Sequence, residues 1–187
     1  MPNHITNRVQ IKSLNDDWRK EEEAFKQLEA LMKTEESTFD FNVLIPYPEK
    51  HSILDKARHE AEKNGTKWDD LPKDGFNQGG YEWCTEHWGT KWNAYDIGFD
   101  YNSVYFQTAW STPLPIWQEL SKRFPDLRLE VEYADEDRGS NCGRLAYMNG
   151  KQVMSEDLSV YPYADVFARA IIAEQKLAHK NAKLVTR

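Results

Sequence analysis

Cys84 and His87 stand three positions apart in Tyr81-Glu-Trp-Cys-Thr-Glu-His-Trp88, a spacing that puts both on one helical face, as half a zinc site requires. Structural zinc takes four ligands, usually as two close pairs, and no second pair follows. His51 and His59 lie in a polar helical stretch, and Cys142 stands alone. The segment therefore reads as one turn of helix with an incidental Cys and His, and no metal or cofactor is expected. Glu82, Glu86 and His87 around Cys84 hold the residue types of an acid, a base and a nucleophile. Nothing in the spacing orients them as a triad, so solvated helix positions are the expected role. An enzyme assembled from Glu82, His87, Lys91 and Asp135 stays open as a third functional reading.

The turn Asp135-Glu136-Asp137 offers oxygen ligands to a hard cation, but it lacks the alternating ligands and closing Glu of an EF-hand loop. It is read as an acidic turn between strands. Six of the seven tryptophans fall between Trp68 and Trp117. Such rings either line a cleft that stacks a base, a sugar or an apolar side chain, or fill the core of their own segment. Trp92, Trp110 and Trp117 lie on regular elements and are expected in the core. For Trp83 and Trp88, beside Gly89, both roles stay open. The candidate binding residues are Trp83, Glu86, His87, Trp88, Lys91, Asp135, Glu136 and Asp137.

The elements that must position these residues follow from periodicity. Ile5, Val9 and Ile11 alternate with polar neighbours, the pattern of a half-buried strand over 5–12. Asn15 or Asp16 caps a helix over 16–33 with Trp18, Phe25, Leu28 and Leu31/Met32 on one face. Strands over 92–99 and 104–111 flank the turn Asp100-Tyr-Asn-Ser103, a hairpin signal. Pro113 and Pro115 suit the first turn of a helix over 113–124, with Ile116, Trp117, Leu120 and Phe124 as its buried stripe. Leu127, Leu129, Val131 and Tyr133 alternate strictly over a strand at 127–134, and a fifth strand runs from Cys142 to Met148, ended by Asn149-Gly150. A last amphipathic helix carries Val166, Phe167, Ala170, Ile171, Glu174 and Leu177 at helical spacing. Residues 39–90, including a polar helix over 52–63, interrupt this order as an insertion that needs large rings for its own small core. Trp88-Gly-Thr-Lys-Trp92 is expected to knit it to the sheet.

The resulting order is β-α-β-β-α-β with an extra edge strand, a ferredoxin-like α+β domain with both helices on one face. One domain over 1–187 is expected, with core 2–38 and 91–153, the insertion, and a helical tail at 160–182. At 187 residues with 40% hydrophobic side chains, it is long enough to bury a core unaided. No signal peptide or membrane span is expected, and two cysteines suit a reducing cytoplasm, with pairing of Cys84 and Cys142 left open. A net charge of −7 disfavours contact with phosphate backbones. Only the end, Lys176 through Arg187, is clearly basic, as helix-dipole preference explains. An RNA-recognition strand needs a basic residue and a glycine that Ser103–Trp110 lacks.

Pro2-Asn-His-Ile-Thr-Asn7, Phe39-Asp-Phe-Asn-Val-Leu-Ile-Pro-Tyr-Pro-Glu49, Trp88-Gly-Thr-Lys-Trp-Asn-Ala94, Thr108-Ala-Trp-Ser-Thr-Pro113 and Asn141-Cys-Gly143 resemble the YubB-like family of bacteriophage and plasmid proteins. That resemblance implies a ferredoxin-like domain and a mobile-element protein of the bacterial cytoplasm, and it brings no catalytic residues. The expectation is a non-enzymatic, acidic binding protein that meets a basic protein partner of the host or element, as a charge mimic. Its alternative is a binder of small ligands or single-stranded nucleic acid through an aromatic cleft. No preference for an oligomeric state follows.

Overall fold

Strand β1 (His4–Lys12) lies at the centre, antiparallel to β3 (Ser103–Ala109) on one side and to β4 (Arg128–Asp135) on the other. The structure, a computed structural model, describes residues 3–185. Pro2, residues 186–187 and the side chain of Lys183 in the basic tail lie outside the described residues. Strand β2 (Tyr95–Asp100) pairs with β3 through the Tyr101-Asn102 turn, and β5 (Cys142–Met148) and β6 (Lys151–Asp157) extend the sheet beyond β4. The order β2-β3-β1-β4-β5-β6 is antiparallel at every pairing. With helix α1 (Trp18–Met32) after β1 and α4 (Leu114–Lys122) after β3, the first four strands form the ferredoxin-like arrangement.

The sequence reading expects one added strand, and the structure has two. Strand β6 shows little alternation, and its residues are largely exposed on both faces. It belongs to the sheet through backbone pairing with β5 across the Asn149-Gly150 turn, whose φ values of 44° and 76° fit a two-residue hairpin loop. The Asn-Gly pair was the available signal, whereas hydrophobicity was silent.

One face of the sheet carries the core. Val9, Ile11, Val104, Phe106, Leu129, Val131 and Leu145 pack with Phe25, Leu28 and Met32 of α1 and with Ile116, Trp117 and Leu120 of α4. Leu129 and Val131 are buried while Glu130 takes the other face, as alternation requires. The insertion has no separate core. Its helices α2 (Glu49–Lys63) and α3 (Gly80–His87) flank a chain that sends Phe39, Phe41, Cys84 and Trp88 into the main cluster, with Phe39 stacked on Phe106 at 4.7 Å. Trp18 departs from expectation. Asp17 caps α1, so Trp18 is the first helical residue, 59% exposed with its ring against Arg19. Glu21 is half-buried and bonds Lys12 and the Ser13 N–H.

Helix α5 (Ala164–Val185) covers part of the second face through a stripe that shares Ile171 and half-buried Phe167 with the expected one and otherwise differs from it. Ala164, Ala168, Ile171, Gln175 and Ala178 are buried, while Val166 and Leu177 are 67% and 61% exposed. The approach is close at the Ala178–His179 end, where a Cβ on Gly98 would lie 2.5 Å from the His179 backbone nitrogen. A bulge between Tyr95 and Gly98 frees carbonyls of β2, and Gln175 Nε2 and His179 Nδ1 donate to Asp96 O and Ile97 O at 2.8 and 3.1 Å. Beside α5, Arg8 and Arg144 share Glu132 at 3.0 and 2.9 Å and Glu174 lies 3.7 Å from Arg8, so two acids offset two bases on this face.

Two tryptophans test this division of the fold. Trp117 is fully buried and its Nε1 donates to Thr112 Oγ1 at 2.9 Å. Trp117→Ala is expected to cost about 3–5 kcal/mol in urea unfolding, whereas Trp18→Ala stays within about 0.5 kcal/mol of wild type.

Candidate functional site

One end of the sheet gathers the termini of four strands: the start of β1, the ends of β3 and β4, and the start of β5. Onto this end the segment 88–93 is fastened by backbone contacts. Buried Thr90 donates through Oγ1 to Ala109 O at 2.8 Å and accepts from Ala109 N at 3.1 Å, and Ser111 Oγ donates to Gly89 O at 2.5 Å. Gly89 sits at φ 74°, where a Cβ would lie 2.8 Å from Pro115 Cδ. The expectation that this segment ties the insertion to the sheet is met, and its fastening residue is Thr90.

Trp110 follows directly in the chain. Its N–H donates to Asn3 O at 2.9 Å and its carbonyl accepts from Asn141 Nδ2 at 3.2 Å. These bonds hold it at φ 72°, a left-handed conformation that costs a bulky residue on the order of 1–3 kcal/mol. Burial does not compensate, because the ring is 45% exposed. Tyr81 meets it edge-on at 6.1 Å, and Lys91 Nζ lies 4.8 Å from its centroid. The same ammonium lies 4.8 Å from the centroid of half-buried Trp92, so Lys91 sits between two indoles. Trp92 in turn touches Tyr95, whose hydroxyl bonds His4 Nδ1.

The acidic turn closes the other side. Asp135, expected in solvent, is only 4% exposed. It accepts from Asn3 Nδ2 at 3.1 Å, from the Asp137 N–H at 2.8 Å and from Asn141 Nδ2 at 3.3 Å, so it shapes the turn from within. Glu136 and Asp137 remain exposed beside it, with Glu136 accepting the His4 N–H at 2.9 Å. The whole is a pair of exposed carboxylates on the turn bonded to the Trp110 carbonyl, near two partly exposed indoles.

The remaining candidates separate from this surface. Trp88 is core: 3% exposed, packed against Phe41, Tyr47 and Trp83, its Nε1 donating to Ile45 O at 2.8 Å. Half-buried Trp83 stacks on His87 at 4.6 Å, and His87 Nδ1 donates to Trp83 O at 3.0 Å, so that nitrogen is committed within its own helix. Glu86 is exposed on α3. Among the described residues no hydrogen bond or ion pair joins any two of Glu82, His87, Lys91 and Asp135, and no three His, Cys, Asp and Glu side chains come together as a metal site. Cys84 and Cys142 are both free, buried in different clusters. Burial, with the Asp55 charge, pushes the Cys84 thiol up to about 12, far from a thiolate nucleophile. Trp110, expected in the core, is the residue the sequence reading misplaced most. Its position at a strand end, just before the Ser111-Thr112-Pro113 turn, was the signal against a core role. Tyr81, Tyr95 and Asn141 were missed because nothing in their local pattern sets them apart.

A larger cleft of about 810 Å³ lies elsewhere, lined by Glu35, Glu36, Asp40, Asp55, His59 and Glu60 among others. Its inner carboxylates are already engaged. Asp40 bonds Thr34, Asn42 and Asn93, and Asp55 bonds the Tyr47 hydroxyl and the Phe76 N–H. They hold the insertion together, which leaves the sheet end as the better candidate.

A model of the family described as the ferredoxin-like domain in Api92-like protein matches residues 87–162, the part holding β2 to β6, α4 and Lys91. Among solved structures, the chain is similar to the crystal structure of a protein Api92 from Yersinia pseudotuberculosis at 12% identity and a TM-score of 0.42. That similarity covers 87% of this chain and 100% of the other. Among curated proteins nothing matches.

The strain at Trp110 reverses the usual order of substitutions. Glycine tolerates φ 72° and alanine does not, so Trp110→Gly is expected to be more stable than Trp110→Ala by about 1 kcal/mol in urea unfolding. A second expectation concerns alkali. Burial raises Cys84, Tyr95 and Tyr105 to about 12 in the folded chain, above their unfolded values of roughly 8.5 for cysteine and 10 for tyrosine. The folded state therefore holds more protons in that window, and stability, complete below about pH 8.5, falls as pH rises towards 12. Urea midpoints measured from pH 8 to 11 should decline steadily, and a flat profile would contradict the burial of these groups.

Proposed function

We propose that this protein is a binding module that engages a basic protein partner at the sheet end, with Trp110 as the anchor and Glu136 and Asp137 as the steering rim. The observation that carries this is Trp110 itself. A large ring is kept 45% exposed on a strained backbone that three hydrogen-bonded strand ends fix in place. Strain of this kind gathers where a ligand is met, and tryptophan anchors dominate protein interfaces.

Charge sets the class of partner. The chain carries a formal −7, and the rim beside Trp110 is acidic, so encounter with a basic surface is accelerated and encounter with phosphate backbones is opposed. On this reading the protein is a charge mimic with an aromatic anchor. The resemblance to YubB-like proteins of phages and plasmids supports a partner encoded by a bacterial host or by the element, met in the cytoplasm. Among the described residues no helix is long and apolar enough to cross a membrane.

Capture from a bacterial lysate tests the proposal. The wild-type chain should recover a basic protein whether or not nuclease is present, with recovery declining as salt rises. Trp110→Ala should weaken affinity for the recovered partner by about thirtyfold or more, the effect of losing a hot-spot ring. Glu136→Gln with Asp137→Asn should slow association and flatten the salt dependence without lowering thermal stability. Loss of capture on nuclease treatment would hand the aromatic surface to single-stranded nucleic acid instead.

A further inference from the structure

Lys91 occupies a place that the geometry describes closely. Its ammonium lies 4.8 Å from the ring centroids of both Trp92 and Trp110, and Tyr81 stands edge-on to Trp110 as a third ring. Two aromatic faces at this distance attract any compact organic cation, because each ring presents its negative face to the charge. No carboxylate forms an ion pair with Lys91 among the described residues, so the indoles are what hold it there.

We propose that Trp92 and Trp110 form a seat for a lysine or arginine side chain of the partner, and that Lys91 fills that seat as an internal plug until the partner displaces it. The inference rests on the binding role assigned to the sheet end and adds the side chain that is recognised. Three features fit it. Trp110 is 45% exposed with Lys91 against its ring, so solvent and a competing cation reach this residue. Thr90 and Trp92 are fastened by the backbone and by ring contacts, so the seat persists when the lysine swings out. The carboxylates of Glu136 and Asp137, on the turn joined to the Trp110 carbonyl through Asn141, favour the approach of positive charge. An internal plug lowers the apparent affinity by the fraction of time the seat is filled, which makes binding depend on the partner's full surface and not on one loose lysine.

The test uses the whole chain and three small probes: N-acetyl-lysine amide, N-acetyl-arginine amide and the uncharged N-acetyl-norleucine amide. Binding is followed by the indole N–H resonances of Trp92 and Trp110. The two cationic probes should shift both resonances and norleucine should shift neither. Lys91→Met keeps the stem and removes the charge, and should bind the cationic probes about fivefold more tightly than wild type. Trp110→Gly, which relieves the backbone strain while removing one wall, should abolish the shifts in a chain that remains folded. Equal affinity of Lys91→Met and wild type, or equal binding of norleucine, overturns the seat. If those results come while Glu136→Gln with Asp137→Asn still weakens capture of the protein partner, the sheet end remains the binding surface and only the seat is lost.

Discussion

Phe106 lies at the point where the sheet, α4 and the insertion meet. Its ring stacks on Phe39 at 4.7 Å, meets Phe41 edge-on at 5.9 Å and touches Trp117 at 5.7 Å. These contacts give residues 39–90 a place in the core of the four-stranded unit, so this largely helical segment needs no core of its own. Trp88 completes the arrangement from the far end of the insertion, through Phe41 and the Ile45 carbonyl. With both ends of the insertion held, Thr90 meets Ala109 in register and Lys91 is delivered to the sheet end. Buried aromatic area is the main driving force here, and its edge-to-face geometry adds direction to it.

Strain at Trp110 is the counterweight. A left-handed conformation for a bulky, exposed residue is not something folding would select for stability. It persists because the Asn3 carbonyl, the Asn141 amide and the Thr90–Ala109 pair fix the chain on both sides of it. Asp135 belongs to the same lattice of bonds, which is why the turn carries one buried carboxylate and two exposed ones. The buried one shapes the turn; the other two face solvent.

The acidic character of the chain is distributed in the same spirit. On the second face arginines and glutamates cancel in the Arg8–Glu132–Arg144 ladder, and in the wide cleft Asp40 and Asp55 serve the backbone of the insertion. Net charge by itself therefore said little about where a partner binds. What singles out the sheet end is two exposed carboxylates beside two partly exposed indoles.

Periodicity in the sequence determined the four core strands, both core helices and their common face, because alternation and helical spacing report directly which side chains leave water. It also determined the acidic balance and the hairpin at Asp100–Ser103. Where burial does not follow apolarity, the sequence was mute: β6 is held by backbone bonds, and α5 buries Ala164, Ala168 and Ala178 while Val166 and Leu177 stay exposed. Tertiary structure alone decided that Trp88 is interior while Trp110 is open, since both are tryptophans beside a small residue and only long-range bonds set their backbones. It alone brought Lys91 against Trp110 and Asp135 under Asn3, partners 19 and 132 positions apart that meet only once the strands are in register. A surface made at strand ends has no local period to betray it.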